Sequence, residues 1–117
     1  LLTYLFKEKR SGRKFSFVTD TLYLDSIAGE VKNSDLLICE GMFADEEADQ
    51  AKEKKHMTSR QAATIARDSN SKRMALIHYS PRYNDKDLDV LQKQAQTVYP
   101  ETMLSKDRMH IEIPYVD

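Results

Sequence analysis

Four side chains suited to acid–base or metal chemistry stand where short apolar runs break off. Phe15 to Val18 runs into Thr19-Asp20-Thr21, Asp35-Leu-Leu-Ile-Cys-Glu40 ends in an acid before a Gly-Met-Phe loop, and Met74 to Ile77 ends in His78. His56 is the fourth, just ahead of a helix start. Carboxylate oxygen and imidazole nitrogen are ligands that a borderline metal such as zinc accepts. Arithmetic limits what they can build. A catalytic zinc takes about three protein ligands and a water, and a two-metal hydrolase needs a bridging carboxylate and more histidines than the three in this chain. No H-x-H-x-D-H cluster is present, so these residues can form part of a dinuclear site but not all of it. Each alone also fits a structural role, His78 as a core histidine and Asp20 as a helix cap.

To act together, these residues need strands whose carboxyl ends lie side by side, the place where open α/β sheets bind ligands. The pattern supplies them. Leu1 to Phe6 and Phe15 to Thr19 read as strands, and Leu24, Ile27, Ala28 and Val31 recur at helical spacing. Asp35 to Glu40 is again a strand, and Ala44 to Lys55, acidic in front and basic behind, reads as a surface helix matched to its macrodipole. Thr58 and Gln61 stand in capping-box register ahead of a small-residue face of Ala62, Ala63, Ile65 and Ala66. Lys72 to His78 is a strand, and Asn84 caps a helix whose stripe is Leu88, Leu91, Ala95 and Val98, stopping at Pro100. Thr102 to Leu104 and Met109 to Ile113 read as closing strands, His110 being structural within the second. This alternation predicts an α/β sheet with its central strands adjacent, so that Asp20, Glu40 and His78 line one edge and His56 joins them.

At 117 residues, 40% hydrophobic and 32% charged, the chain has the makeup of one soluble domain, and no apolar run approaches the length of a membrane span. A lone cysteine, Cys39, forms no internal disulfide and points to a reducing cytoplasm. The net charge of −1 announces no nucleic-acid partner. The basic stretch from Lys7 to Lys14 and the acidic one from Asp45 to Asp49 read as solvated surface. The chain opens mid-pattern without a methionine, so residues 1–117 read as a single partial domain, with 1–14 a strand remnant and basic turn.

Four motifs carry a resemblance. Phe17-Val-Thr-Asp-Thr21, Ser34-Asp-Leu-Leu-Ile-Cys-Glu-Gly-Met-Phe43, His56-Met-Thr-Ser-Arg-Gln-Ala62 and Ile77-His-Tyr-Ser-Pro-Arg-Tyr83 resemble, in order and spacing, those of ribonuclease Z, the tRNA 3′-processing endonuclease family of the metallo-β-lactamase superfamily. Tyr99-Pro-Glu-Thr and Met109-His-Ile-Glu-Ile resemble its last strands. The chain differs in having Thr-Asp-Thr where many relatives carry Gly-Asp-Thr, and Cys39-Glu-Gly-Met where they often carry His-Glu-Ala-Thr.

The resemblance implies that Asp20 is the bridging metal ligand and His78 the last histidine ligand of a two-zinc site. It implies that His56, oriented by Glu40, assists proton transfer to the leaving 3′ oxygen, while Ser80 and Arg82 are placed to contact phosphate. The amino-terminal half of that family's fold, with the other ligands and the arm that grips tRNA, has no counterpart here. The resemblance therefore implies the carboxy-terminal half of an αββα sandwich, incomplete in zinc ligands and inactive alone. Its uncovered sheet face would expose several hundred Å² of apolar surface and favour a homodimer. Two other readings share the residues: a different metal-dependent hydrolase of the same fold, and a non-catalytic α/β interaction module. The intact set Asp20, Glu40, His56, His78 argues against the last.

Overall fold

A computed structural model describes residues 2–7, 13–106, 109 and 111. Five strands form one sheet in the order β1-β2-β3-β4-β5: β1 Leu2–Lys7, β2 Lys14–Thr19, β3 Leu36–Glu40, β4 Met74–Ile77 and β5 Thr102–Leu104. β1 runs antiparallel to β2, and β2 to β5 are mutually parallel. Parallel neighbours need crossovers, which the helices provide: α1 Ser26–Glu30, α2 Ala48–Glu53, α3 Ser59–Asp68 and α4 Asp85–Gln96.

Register decides which residues meet the helices. Val18, Cys39, Leu76 and Leu104 form one row across the parallel strands. The first three are fully buried and pack with Ile27 and Val31, with Ala62, Ala63, Ile65 and Ala66 of α3, and with Leu91 and Ala95 of α4. The alternate row, Phe17, Ile38, Ala75 and Met103, faces the other way, and all but Ala75 are only partly buried. The alanines of α3 let its axis approach the sheet closely. Gly41 serves the same contact, since a Cβ there would lie 2.7 Å from Leu76 Cδ2 and 3.3 Å from the Ser59 Cα that opens α3.

Both expected capping residues act as caps. Thr58 Oγ1 accepts the Gln61 N–H while Gln61 returns a bond to the Thr58 N–H, and Asn84 and Asp87 do the same for α4. At the strand starts, the Asp35 carboxylate accepts the Lys14 N–H at 2.7 Å and pairs with Lys72 at 3.1 Å, joining the approaches to β2, β3 and β4. Burial alone would raise the Asp35 pKa, but these two partners outweigh it and hold the carboxyl below its ordinary range.

Three expectations need correction. The stripe beginning at Leu24 starts later: residues 21–24 leave β2 without helical structure, α1 covers only Ser26–Glu30, and Leu24 is 40% exposed. The segment 44–55 is not one helix but a 3-10 turn, Asp45–Glu47, followed by α2, with Glu47 at φ −114° between them. Its front is held across to α4 and the loop that precedes it, where the Asp45 N–H donates to Gln94 and Ala44 N–H to Tyr83, and this tertiary pull overrides local helix preference. α4 ends at Gln96, with Thr97 as its C-cap, short of Pro100. The basic turn at 8–12 lies outside the described residues, as do His110 and most of the strand expected over 109–113. Among the described residues no helix is long and apolar enough to cross a membrane.

Candidate metal and acid–base site

The register that builds the core also builds the edge. Val18 pairs with Cys39 and Glu40 with Ile77, so Asp20 and His78 stand level with each other, one residue past the ends of β2 and β4, flanking Gly41 beyond β3. Two strand spacings separate these backbones by about 9–10 Å. Side chains must therefore converge to meet, and the backbone turns them. Asp20 has φ 53° and His78 φ 62°, the left-handed region that both residue types enter more readily than most. Each such turn costs about 1–2 kcal/mol.

His56 completes the group. Donor atoms of Asp20, His56 and His78, one from each, all lie within 4.8 Å of one another. The His56 and His78 rings meet edge to face, 5.5 Å between centroids at 88°. Tetrahedral ligands on one zinc lie about 3.4 Å apart, from bond lengths of about 2.1 Å, so binding asks a pair at the 4.8 Å limit to close by about 1.4 Å. Two nitrogens and an oxygen are a donor set that zinc accepts. The residues present fit such an ion.

Glu40 is fully buried beneath them. Its Oε1 accepts the Thr21 N–H at 3.1 Å, and its Oε2 accepts the Met57 N–H at 3.2 Å and faces His56 Nδ1 at 2.9 Å. Thr21 follows Asp20 and Met57 follows His56, so one carboxylate fixes the backbone beside both. A carboxylate has no proton to give, so Nδ1 is the donor, and Nε2, the other ring nitrogen, is left for the site. Burying this charge would be costly without these three partners. Cys39, one residue earlier, is no candidate nucleophile: burial, and secondarily the Glu40 charge, push its thiol pKa far up.

Ser80 and Arg82 lie on the loop after His78 but have local partners. Ser80 is buried; its N–H donates to Met42 O at 3.1 Å and its hydroxyl accepts the Arg82 N–H at 3.4 Å. The Arg82 guanidinium, 61% exposed, donates to Glu47 and to Gln50. Tyr83 also donates to Glu47, and burial together with that bond pushes its pKa up to about 12, against the opposing Ala44 N–H. Glu47, Gln50 and Tyr83 had no sequence signal as a unit, because 36 residues separate Glu47 from Tyr83.

Comparison with known proteins bears on the fold and the family. Residues 1–79 match the family model described as the beta-lactamase superfamily domain. Ribonuclease Z of Treponema denticola is 63% identical over 109 residues, which are 93% of this chain and 35% of that protein. The crystal structure of human tRNase Z, short form, superposes with a TM-score of 0.74 at 32% identity, covering 96% of this chain and 38% of that one. The metallo-beta-lactamase fold protein YhfI from Bacillus subtilis superposes at 0.73 with 23% identity, covering 87% and 44%. This chain spans about a third of the length of the curated relatives it matches, so its sheet and helices are part of a metallo-β-lactamase fold. With most of its residues inside the matching family model, the chain belongs to the beta-lactamase superfamily.

Proposed function

We propose that the protein carrying this chain is a zinc-dependent phosphodiesterase that cleaves precursor tRNA near its 3′ end, and that this chain contributes one side of the active site. The observation that carries the reading is the convergence of Asp20, His56 and His78 donors above a buried Glu40, on the strand ends of a superfamily whose relatives here are named ribonuclease Z.

Asp20 and His78 would hold zinc, Asp20 in the role of the family's shared carboxylate ligand. The remaining ligands come from outside these 117 residues. When bound, zinc supplies the positive charge that phosphodiester hydrolysis needs at the reacting phosphate. His56, once it has taken up a proton on Nε2, would pass that proton to the leaving 3′ oxygen and return to the neutral ring, while Glu40, accepting the Nδ1–H, keeps the ring aimed and stabilises it while it is charged. Arg82, holding Glu47 and Gln50 through Nη2 alone, would contact phosphate through its other guanidinium N–H groups, with Ser80 two residues before it on the same loop.

By itself the 117-residue chain is inactive, binds zinc weakly and pairs with a second copy through the partly buried row Phe17, Ile38 and Met103. The whole protein works in the cytoplasm. Incubating the full-length gene product with a precursor tRNA tests the function. Cleavage at the 3′ side that is lost in His56→Ala and in Asp20→Ala supports it, and cleavage unaffected by both substitutions rejects it.

A further inference from the structure

The acidic front of the 44–50 segment is anchored to the loop after β4. Glu47 Oε1 accepts the Tyr83 hydroxyl, while Oε2 pairs with Arg82 Nη2, which also donates to Gln50 Oε1 at 3.2 Å. In return the Ala44 N–H donates to Tyr83 Oη at 2.9 Å. An ion pair as exposed as the one with Arg82 holds little alone, but the Glu47 side chain is only 22% exposed and its bond to the half-buried Tyr83 is charge-assisted.

The connections on either side of this clamp matter. The Tyr83 loop begins at His78. The Glu47 segment runs through α2 to His56, whose N–H donates to Ala51 O at 2.8 Å. Glu47 thus joins the two elements that end in the paired histidines. Nearer to His78 the loop is also tied by Tyr79, whose hydroxyl donates to Leu76 O at 2.6 Å and accepts the Ser105 N–H at 2.7 Å, and by the Ser80 N–H donating to Met42 O, so the Glu47 clamp adds to these ties at the loop's far end.

We propose that Glu47 is a positioning residue: through Tyr83 and Arg82 it holds the His78 loop against the segment leading to His56, and so keeps the His78 ligand atom set relative to Asp20 and to the His56 ring. This rests on reading Asp20 and His78 as cation ligands and His56 as the acid–base group beside them. Removing the clamp leaves the ligands in place but lets His78 move relative to His56, which lowers affinity and broadens coordination geometry. Outer partners of metal ligands characteristically act this way, at about 10- to 100-fold in affinity when they touch the ligand. Glu47 acts one step further out, so the low end is expected.

The test uses the full-length gene product loaded with cobalt(II), read by its visible absorption spectrum and by chelator competition. Glu47→Ala should weaken cobalt binding by about tenfold and alter the band envelope. Glu47→Gln keeps an oxygen for the Tyr83 hydroxyl and should restore most of both. Far-UV circular dichroism establishes folding. Tyr83→Phe, which removes a single hydroxyl, is the second variant should Glu47→Ala not fold, and shifts affinity the same way. Unchanged affinity and spectrum in the folded variants overturn the role of Glu47 alone. A wild-type protein that takes up no cobalt overturns the ligand reading together with it.

Discussion

Replacing Glu40 with glutamine probes the centre of the arrangement with almost no change in volume. The carboxylate is fully buried and accepts three N–H groups, from Thr21, His56 and Met57. An amide has one acceptor oxygen. With that oxygen towards His56 and Met57, the NH2 group faces the Thr21 N–H; turned over, it faces two donors instead. At least one buried N–H is left without a partner, costing about 1–3 kcal/mol. The bond to His56 also loses its charge assistance, so the total expected is about 2–4 kcal/mol. Denaturant unfolding of the full-length protein measures it. Pairing with His56→Ala in a double-mutant cycle should show a coupling of about 0.5–3 kcal/mol, because the two residues share one bond. Stability within about 0.5 kcal/mol of wild type, or strict additivity, would refute the assigned role.

Other outcomes follow from the same structure. The folded Asp35 carboxyl is held below its ordinary range, so its stabilisation is complete above about pH 4 and is lost as pH falls through the lowered folded value; acid unfolding of Asp35→Asn should lack this component. Gly41→Ala places a methyl 2.7 Å from Leu76 Cδ2 in the core and should cost about 1–2 kcal/mol, whereas an unchanged unfolding midpoint would show that Leu76 yields freely. Asp20→Gly removes a left-handed turn from a non-glycine residue, so stability should hold or rise by up to about 1 kcal/mol while bound zinc falls, measured by calorimetry and metal analysis.

Much of the fold could be read from short-range pattern. The parallel strands are short apolar runs, and the caps Thr58 and Asn84 are local hydrogen-bonding choices that the sequence states outright. The edge formed by Asp20 and His78 also follows from where those runs stop, whereas Glu40, expected in the same row, is the last residue of β3, level with Ile77 and fully buried. What escaped notice depends on distant partners: the break at Glu47 answers to Tyr83 and Gln94, and the late start of α1 leaves Leu24 out of the stripe. The resemblance likewise implied that Glu40 pairs with His56. It could not indicate that two backbone N–H groups, beside Asp20 and beside His56, converge on the same carboxylate. Such convergence is a property of loops, whose course residue types constrain only weakly.

The most direct test of the account is zinc content, by mass spectrometry, of the full-length gene product, of its Asp20→Ala and His78→Ala variants, and of the 117-residue chain alone. The account predicts about two ions in the full-length protein, a clear loss in each variant and almost none in the isolated chain. Zinc retained at full stoichiometry in both variants would contradict it, since the strand-end residues would then not be ligands.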